Sequence, residues 1–451
     1  MKDVAIIGAG LTGLATAHYL REMGYDGNIK LFYEGNIGGS IKTIKHNDCL
    51  LELGPETWQA KNPLLWELSE QLNISDQIIM ANQAANKRFV LREGFLSPVP
   101  MKPLDFVFGS LLFINEKYKL FKAMRRPIDV WERQTLFDVA SQVGGYDFAE
   151  ALGSAFSFGI FGCEGRQVEF SSAFPLLYEK FKSKVPLKKN LRSLREIPES
   201  WHKEYSDYAN QSFKRGLFSF KDGLQTLTDT LAAQHQEKNI SSAKLSVRNA
   251  KVAEGKVSIQ AGSGSPEKFD KVVFTGSVTS ALKIFKNFEV DDLPEPLDLT
   301  PTPITVVHTA WKKKDIDMNA FGFLVSKKEK QSILGALFSS KIFANRADES
   351  LFLTKIMVPG NSELFSDTEV ANRSSDSFNR ILKTKASPVW SRVERVKGGI
   401  PRYLPGFGAF KRALAEKLMR QNVIPAGWHY GPIGMPDCAS TGKATAKELL
   451  S

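Results

Sequence analysis

A glycine-rich turn near the start of the chain constrains the fold more than any other feature. Gly8-Ala9-Gly10-Leu11-Thr12-Gly13 stands between an apolar run, residues 4–7, and a segment of good helix formers, residues 14–23. In this GxGxxG pattern the first glycine permits a tight turn, the second lets the backbone approach a pyrophosphate, and the third lets helix and strand pack closely. The helix N-terminus then offers N–H groups and a partial positive charge to the phosphates. The pattern predicts a strand–turn–helix unit that binds a dinucleotide.

An acidic residue stands where such a unit places one. Glu34 follows a second apolar run, residues 29–33, and comes about 20 residues after the last glycine of the turn. A carboxylate at this point can accept a hydrogen bond from a ribose hydroxyl. The residues assigned to the cofactor on these grounds are Gly8, Gly10, Leu11, Thr12, Gly13 and Glu34.

The composition suits a globular protein of two or three domains. At 451 residues the chain exceeds what one compact core holds, and 42% of it is hydrophobic. Its cysteines, Cys49, Cys163 and Cys438, lie far apart and form no CxxC pair, which argues against a disulfide framework or a structural zinc site. We therefore assign no metal. No apolar run reaches the roughly 18 residues that span a bilayer, and no signal-peptide pattern is visible, so we expect a cytoplasmic protein.

The positive charge of the chain, +11 in total, is unevenly distributed. Such a field favours an anionic partner: a phosphate, a carboxylate or an acidic membrane surface. Nucleic acid is not expected, because no recognition module accompanies the basic residues. A solvated surface explains the charge equally well. One basic cluster follows the apolar residues 106–114 and comprises Lys117, Lys119, Lys122, Arg125, Arg126 and Arg133.

Strand-like runs at both ends and in the middle of the chain flank a long helical stretch. This order indicates an α/β fold (α+β overall), in which a Rossmann-like cofactor domain is interleaved with two others. We predict cofactor-domain parts at 1–85, 213–290 and 396–451, a helical, membrane-associating region at 86–212, and a substrate-binding domain at 291–395.

The residues after Glu34 resemble the flavin amine oxidase superfamily. A second glycine pair opens residues 38–43 (GGSIKT), and a Gly-Pro step ends residues 51–55 (LELGP). The resemblance implies FAD as the cofactor, with the glycine pair close to the extended molecule and the Gly-Pro segment near the isoalloxazine. The stretch from Glu34 to Gly38 is shorter than the family pattern and lacks its arginine. The implied FAD contacts are Gly38, Gly39, Ser40, Gly54, Pro55, Glu56 and Thr57.

The loop at residues 425–438 agrees with this resemblance. It is rich in glycine and leads into a helix, whose N-terminus can place backbone donors and a positive dipole at the flavin pyrimidine edge, where reduction builds up negative charge. We add Ile433, Gly434 and Met435 to the FAD site, together with Ala250 from the middle strands.

Within the superfamily the chain is most similar to the protoporphyrinogen oxidase family, particularly the bacterial type. The resemblance implies oxidation of protoporphyrinogen IX to its porphyrin in three two-electron steps, with O2 as the usual acceptor. The blocks that carry it stand in family order: GPETWQAK at 54–61, NKRFV at 86–90, GFLSPVP at 94–100, FGIFG at 158–162, FSFKDGLQTL at 218–227, GFLV at 322–325 and IPRY at 400–403.

The substrate carries propionates, so a site for it needs cations. Lys61, Arg88 and Arg402 are the candidates by position in these blocks, although exposed surface charge explains each of them equally well. No side chain is assigned as a catalytic base. The family likeness extends to a membrane-associating region, and residues 104–133 would hold the protein at the inner face of the cytoplasmic membrane, unless their apolar residues serve ordinary core packing. A homodimer is among the partners considered.

Three other functions stay open. A coproporphyrinogen III oxidase would perform the same chemistry on a more acidic substrate. An amine oxidase or carotenoid desaturase is more distant, since Ala426-Gly427-Trp428 replaces the AGE sequence of amine oxidases. A porphyrin-binding homologue without turnover is compatible with the short Glu34–Gly38 stretch, with Asp222 in place of a glycine, and with Met435-Pro436.

Overall fold

The computed structural model describes residues 2–60, 62–193, 216–286, 293–294, 298–360 and 364–451. Its strands in chain order are β1 Val4–Ile7, β2 Ile29–Phe32, β3 Thr43–His46, β4 Cys49–Glu52, β5 Trp58–Gln59, β6 Ile78–Met80, β7 Arg88–Arg92, β8 Phe95–Pro98, β9 Leu217–Phe220, β10 Ile240–Ala243, β11 Val247–Ala253, β12 Lys256–Ala261, β13 Glu267–Phe269, β14 Lys271–Phe274, β15 Thr302–Lys312, β16 Gly322–Val325, β17 Gly335–Leu337, β18 Leu351–Val358, β19 Pro388–Ile400 and β20 Val423–Pro425.

The α-helices divide into a dense run in the first half of the chain and scattered helices after it. In chain order they are α1 Leu11–Glu22, α2 Leu64–Gln71, α3 Pro103–Phe108, α4 Ile114–Ala123, α5 Leu136–Gly144, α6 Tyr146–Phe148, α7 Ser154–Phe161, α8 Phe170–Ala173, α9 Pro175–Lys182, α10 Leu187–Ser193, α11 Gln225–Glu237, α12 Val278–Ile284, α13 Ser339–Ile342, α14 Asp367–Leu382, α15 Phe407–Met419 and α16 Met435–Leu450. A π-helical stretch, Ala149–Gly153, joins α6 to α7.

A parallel sheet of five strands, in the order β10-β2-β1-β14-β20, forms the cofactor half of the molecule. Its central strand β1 is buried along its whole length, as expected for a parallel strand covered on both faces. The strands come from the beginning, the middle and the end of the chain. The predicted α/β fold with an interleaved Rossmann-like domain is therefore confirmed.

A mixed sheet of seven strands, in the order β19-β15-β18-β17-β16-β7-β8, forms the other half. Alternate residues of β15 and β18 point to opposite faces. On one face, Trp311 and Phe352 pack against Phe378 of α14. On the other, Ala310 and Leu353 pack under the β3–β4 hairpin, which places this face towards the cofactor half.

Three strands of this sheet lie wholly or partly in stretches that the sequence assigned to other regions. β7 pairs with β16 and with β8, so residues 88–98 extend the seven-stranded sheet although we expected them in the helical region. The last residues of β19 likewise stay in this sheet beyond the predicted boundary at 395. Both differences arise because strand pairing is a long-range property, whereas the boundaries were inferred from local composition.

Buried ion pairs and caps tie the helices α3–α10 to the rest. Arg92 of β7 makes a bidentate bond with Glu116 of α4, at 2.8 and 2.9 Å. The buried Glu169 carboxylate accepts the backbone N–H of Gly406 at 2.5 Å, at the start of α15. In the described ranges, the structure contains no helix that is both long and apolar enough to cross a membrane.

Candidate functional site

The glycine turn between β1 and α1 has one open position and two crowded ones. A β-carbon on Gly10 would meet no described protein atom within 4 Å, which leaves that side of the turn accessible to a ligand. Gly8 has φ +115° and lies against Thr275. A β-carbon on Gly13 would overlap the Gly8 carbonyl oxygen. These three environments match the three tasks that the pattern assigns to its glycines.

The second glycine pair lies directly against the first turn. Gly38 donates its N–H to the Ala9 carbonyl at 2.8 Å and forms a parallel bridge with Gly10. A β-carbon on Gly39 would lie 3.2 Å from the Gly10 Cα, and one on Gly54 would overlap the Ser40 carbonyl oxygen. The structure therefore brings the glycine turn, the glycine pair Gly38-Gly39 and the Gly-Pro segment into one continuous backbone surface.

The C-terminal segment closes the same surface from the other side. Gly427 lies beside Thr12, and Gly442 of α16 is in close contact with the backbone of Thr12 and Thr16. Met435, in the first turn of α16, is buried in the same apolar cluster as Leu11. Gly434 caps α16, and the adjacent Ile433 is 38% exposed. The positive end of α16 is thus set beside the positive end of α1.

Two predicted cofactor residues lie at the edge of this surface. Glu34 is exposed just beyond β2, and one of its oxygens accepts a hydrogen bond from the Ser246 hydroxyl at 2.9 Å. Ala250 is buried in β11, in a different apolar cluster from Leu11. Ser246 immediately precedes β11, so this strand begins next to the predicted ribose-binding acid.

A buried polar cluster, which the sequence did not predict as a unit, adjoins the Gly-Pro segment. Lys355 of β18 donates to the Gly54 carbonyl at 2.5 Å and lies 3.5 Å from the Glu56 carboxylate. His308 of β15 stands directly opposite Lys355 in the sheet and is 1% exposed. Burial, reinforced by Lys355 and Arg392, holds the pKa of His308 well below its usual value.

A second buried pair continues this cluster below the Gly-Pro segment. Glu52 accepts hydrogen bonds from the Leu224 N–H and the Thr43 hydroxyl, both at 2.8 Å, and lies 3.8 Å from the fully buried Arg346. Burial raises the pKa of Glu52 to about 7 despite these partners. Because the raised pKa favours the neutral acid, Glu52 behaves as a hydrogen-bonding group more than as a fixed charge.

The sequence does contain a signal for the residues of this buried cluster. His308 and Lys355 each stand inside an otherwise apolar strand, β15 and β18, where a charged or titratable side chain is unusual. Glu52 lies two residues before the Gly-Pro step that the motif marks, whereas Glu56, directly after that step, is one of the FAD contacts that the resemblance implies.

The predicted substrate-binding cations do not form one cluster in the described part of the chain. Arg88 begins β7; it is half-buried, and its guanidinium stacks on the Phe321 ring at 5.0 Å. Burial lowers its pKa, and no carboxylate contributes to that pKa in the described part of the chain. Arg402 pairs with Asp298 in a narrow cleft that Phe407 and His429 also line. Lys61 lies outside the described residues.

Together, the doubled glycine surface, the two helix N-termini and the acid beyond β2 define an FAD-binding oxidoreductase. A family model described as flavin containing amine oxidoreductase matches residues 11–450, and the chain belongs to that family. FAD as the cofactor is thereby confirmed, as is the resemblance that the motifs indicated.

Known relatives match the chain over nearly its full length. The mitochondrial protoporphyrinogen oxidase of Nicotiana tabacum is 27% identical, with 100% of this chain and 95% of that protein covered. The coproporphyrinogen III oxidase of Staphylococcus aureus is 23% identical, with 100% and 99% covered. A solved structure from Exiguobacterium sp. 255-15, assigned as a protoporphyrinogen oxidase, has a TM-score of 0.79 at 20% identity and covers 99% of this chain and 98% of its own, which shows a shared fold.

The residues present fit an extended FAD molecule. The open side of Gly10 suits the pyrophosphate, the Glu34 carboxylate suits a ribose hydroxyl, and the N-terminus of α16 suits an electron-rich ring. When bound, FAD supplies two-electron acceptance that no side chain of the protein can provide. The protein's own part is to hold the cofactor, exclude water and set the local charge.

Proposed function

We propose that this protein uses FAD to oxidise a porphyrinogen to the corresponding porphyrin in heme biosynthesis. Relatives named protoporphyrinogen oxidase and coproporphyrinogen III oxidase match the whole chain, which supports this substrate class. Three successive two-electron oxidations would remove six hydrogen atoms from the macrocycle, and three O2 molecules would take them up as three H2O2.

The observation that carries the proposal is the environment of Arg88. A half-buried guanidinium without a described carboxylate partner needs an anion from elsewhere, because charged groups are rarely left unpaired away from water. Its planar fork of N–H donors, which lies over the Phe321 ring, has a geometry that matches a carboxylate. A porphyrinogen propionate has this chemistry. Lys61 and Arg402 stay candidates for further propionates, with Arg402 having to exchange Asp298 for the substrate.

Anaerobic mixing tests the proposal directly. The FAD-loaded protein is combined with protoporphyrinogen IX or with coproporphyrinogen III, and the flavin absorbance is followed before air is admitted. We expect both substrates to bleach the flavin and porphyrin fluorescence to rise with it, with protoporphyrinogen IX reacting faster. Peroxide should appear after air is admitted, which tests O2 as the acceptor.

Two other outcomes would redirect the assignment. Faster reaction of coproporphyrinogen III would make the protein a coproporphyrinogen III oxidase. If neither substrate bleaches the flavin while both compounds still bind, the protein is a porphyrin-binding homologue without turnover.

We also propose that residues 104–133 contact the inner face of the cytoplasmic membrane. Phe108 and Ile114 are 81% and 86% exposed, and they are followed in the sequence by the basic cluster of residues 117–133. By contrast, Leu111 and Leu112 are buried in the protein and cannot take part.

Sedimentation with anionic vesicles tests this contact. The protein should co-sediment at low salt, and added salt should release it because exposed charges are screened. A Phe108→Ser, Ile114→Ser double variant should bind less while keeping its FAD. Absence of binding at low salt would remove the membrane role.

A further inference from the structure

The polar cluster beside the Gly-Pro segment sits on one defined face of the seven-stranded sheet. His308 faces Lys355 on one side and Arg392 on the other, in direct register across β18, β15 and β19. Two residues further along β15, Ala310 on the same face lies under the β3–β4 hairpin. The apolar part of this face is therefore covered by protein, and the polar part continues towards Gly54 and Glu56.

This polar part is incomplete by the rules of hydrogen bonding. Both carboxylate oxygens of Glu56 and both ring nitrogens of His308 are buried without a hydrogen-bond partner among the described residues. Glu56 is 7% exposed and His308 1%. Buried polar atoms are nearly always hydrogen-bonded, so these four atoms, on two side chains that both lie beside Lys355, indicate that a group outside the described residues completes them.

A chain of close backbone contacts links this cluster to the glycine turn. Lys355 contacts the Gly54 carbonyl, Gly54 lies on the Ser40 carbonyl, and the adjacent Gly39 lies on Gly10. Glu34, the predicted ribose contact, lies at the other edge of the surface, beside Ser246. An FAD molecule with its pyrophosphate at Gly10 and its ribose at Glu34 would therefore point its flavin towards Gly54 and this cluster.

We propose that Lys355 and Glu56 set the electrostatic potential at the flavin ring with opposite signs. The Lys355 ammonium stabilises the reduced ring, and the Glu56 carboxylate, 3.5 Å away, opposes it. Lys355 is also a positioning residue, since it holds the Gly54 carbonyl in place. The proposal depends on the FAD site and not on the identity of the substrate.

The charge balance explains why the pair should matter for reduction. A hydride equivalent, which is two electrons and one proton, would leave a bound flavin with one negative charge. In a site shielded from water, a nearby positive charge favours that product and a negative charge disfavours it. His308, flanked by two cations, contributes a neutral hydrogen-bonding group.

The test is the midpoint potential of bound FAD, measured without porphyrinogen by slow reduction with xanthine and xanthine oxidase against a reference dye. Lys355→Met should make the potential more negative by at least a tenfold change in the reduced-to-oxidised ratio, about 30 mV for a two-electron couple. Glu56→Gln should shift it by a similar amount in the opposite direction. Lys355→Arg should stay near the wild-type value. Lys312→Met removes an exposed lysine at the end of β15 and serves as the control without a shift.

Opposite shifts support the proposal, because a general loosening of the site would move both variants the same way. Shifts of the same sign, or potentials equal to that of Lys312→Met, overturn it. If Lys355→Met loses its FAD, the sign of the Glu56→Gln shift decides. If both neutral variants fold but lose FAD, the pair acts by contact and not by charge, and the electrostatic assignment is wrong. None of these results depends on whether a porphyrinogen is the substrate.

Discussion

The two ends of the FAD site are built from different materials. At the predicted phosphate end, the protein presents backbone, and Gly10, Gly38 and Gly39 bring main-chain atoms together. At the proposed flavin end, charged groups such as Glu56, Lys355 and Arg346 are buried within the protein. A site formed by backbone atoms depends on close fit, so an added side chain disrupts it. A site formed by paired charges depends on their neutralisation, so the removal of one charge disrupts it. This difference separates what mutations and pH should do at each end.

The largest effect is expected at the phosphate end, from a comparison of two glycines. Gly13→Val places its side chain into the Gly8 carbonyl and should destabilise the fold by more than about 3 kcal/mol. The β-carbon of Gly10→Val would meet no atom of the described residues, and the backbone there has an ordinary conformation, with φ −75°, so the chain should fold while losing FAD. Flavin content and thermal unfolding of both variants, measured beside wild type, check this.

Either of two results would break the comparison at this point. Normal flavin content in Gly10→Val would mean that the pyrophosphate does not approach that residue. Unfolding of Gly10→Val to the same extent as Gly13→Val would mean that the open side of the turn carries a packing role.

A smaller effect should follow the removal of the Arg88 charge from the seven-stranded sheet. Arg88→Ala should raise KM for the porphyrinogen about 10- to 150-fold, because it loses a charge-assisted hydrogen bond of about 1.5–3 kcal/mol. The flavin content and the potential of bound FAD should not change. Lys87→Ala, which removes the adjacent exposed lysine, is the matched control. Equal KM values for the two variants would mean that Arg88 does not bind the substrate. Charged side chains would then matter only at the proposed flavin end.

The smallest effect concerns pH, and it should appear at the charged end alone. Glu52 has a pKa of about 7 in the fold against an ordinary value of 4.5, so the folded state holds a proton that the unfolded state has released. Stability contributed by this group is therefore full below about pH 4.5 and is lost as the pH rises through about 7, and about 2 kcal/mol of this loss falls between pH 5 and pH 7. Glu52→Gln keeps an acceptor and cannot ionise, so its free energy of unfolding should not show this decline.

Denaturant unfolding of the FAD-loaded proteins at pH 5, 6, 7 and 8 measures the difference. The free energy of unfolding of the wild type should fall as the pH rises, whereas that of Glu52→Gln should not, so the variant becomes the more stable of the two. Parallel curves, or a variant that loses stability at pH 8, would mean that Glu52 is ionised against Arg346 and forms a true ion pair.

The same contrast governs how much could be predicted from the sequence. The phosphate end was predictable because Gly8, Gly10 and Gly13 are neighbours in the chain, and their spacing alone requires a turn between a strand and a helix. The interleaved α/β fold, inferred from the strand-like runs along the chain, and FAD, implied by the resemblance of the later motifs, are confirmed. The individual FAD and substrate contacts, including Ala250 and Lys61, stay predictions.

The flavin end could not be assembled from local patterns. His308 and Lys355 meet because β15 and β18 pair in one register, and a shift of one residue would turn both side chains to the opposite face. Composition does not encode that register. The same limitation applies to the apolar residues 106–114. Their sequence does not show that Leu111 and Leu112 are buried whereas the adjacent Phe113 is exposed.

The contact between α1 and α16 has a consequence for how the protein is made. Gly442 lies against Thr12 and Ala15, so the first helix of the chain is covered by the last one described. During synthesis, α1 leaves the ribosome long before residues 435–450 exist, and its apolar side must wait for them or be covered by a chaperone. The strand β1 likewise waits for β14. FAD is therefore expected to bind only after α16 has been synthesised, and bound FAD should stabilise the contact between α16 and α1.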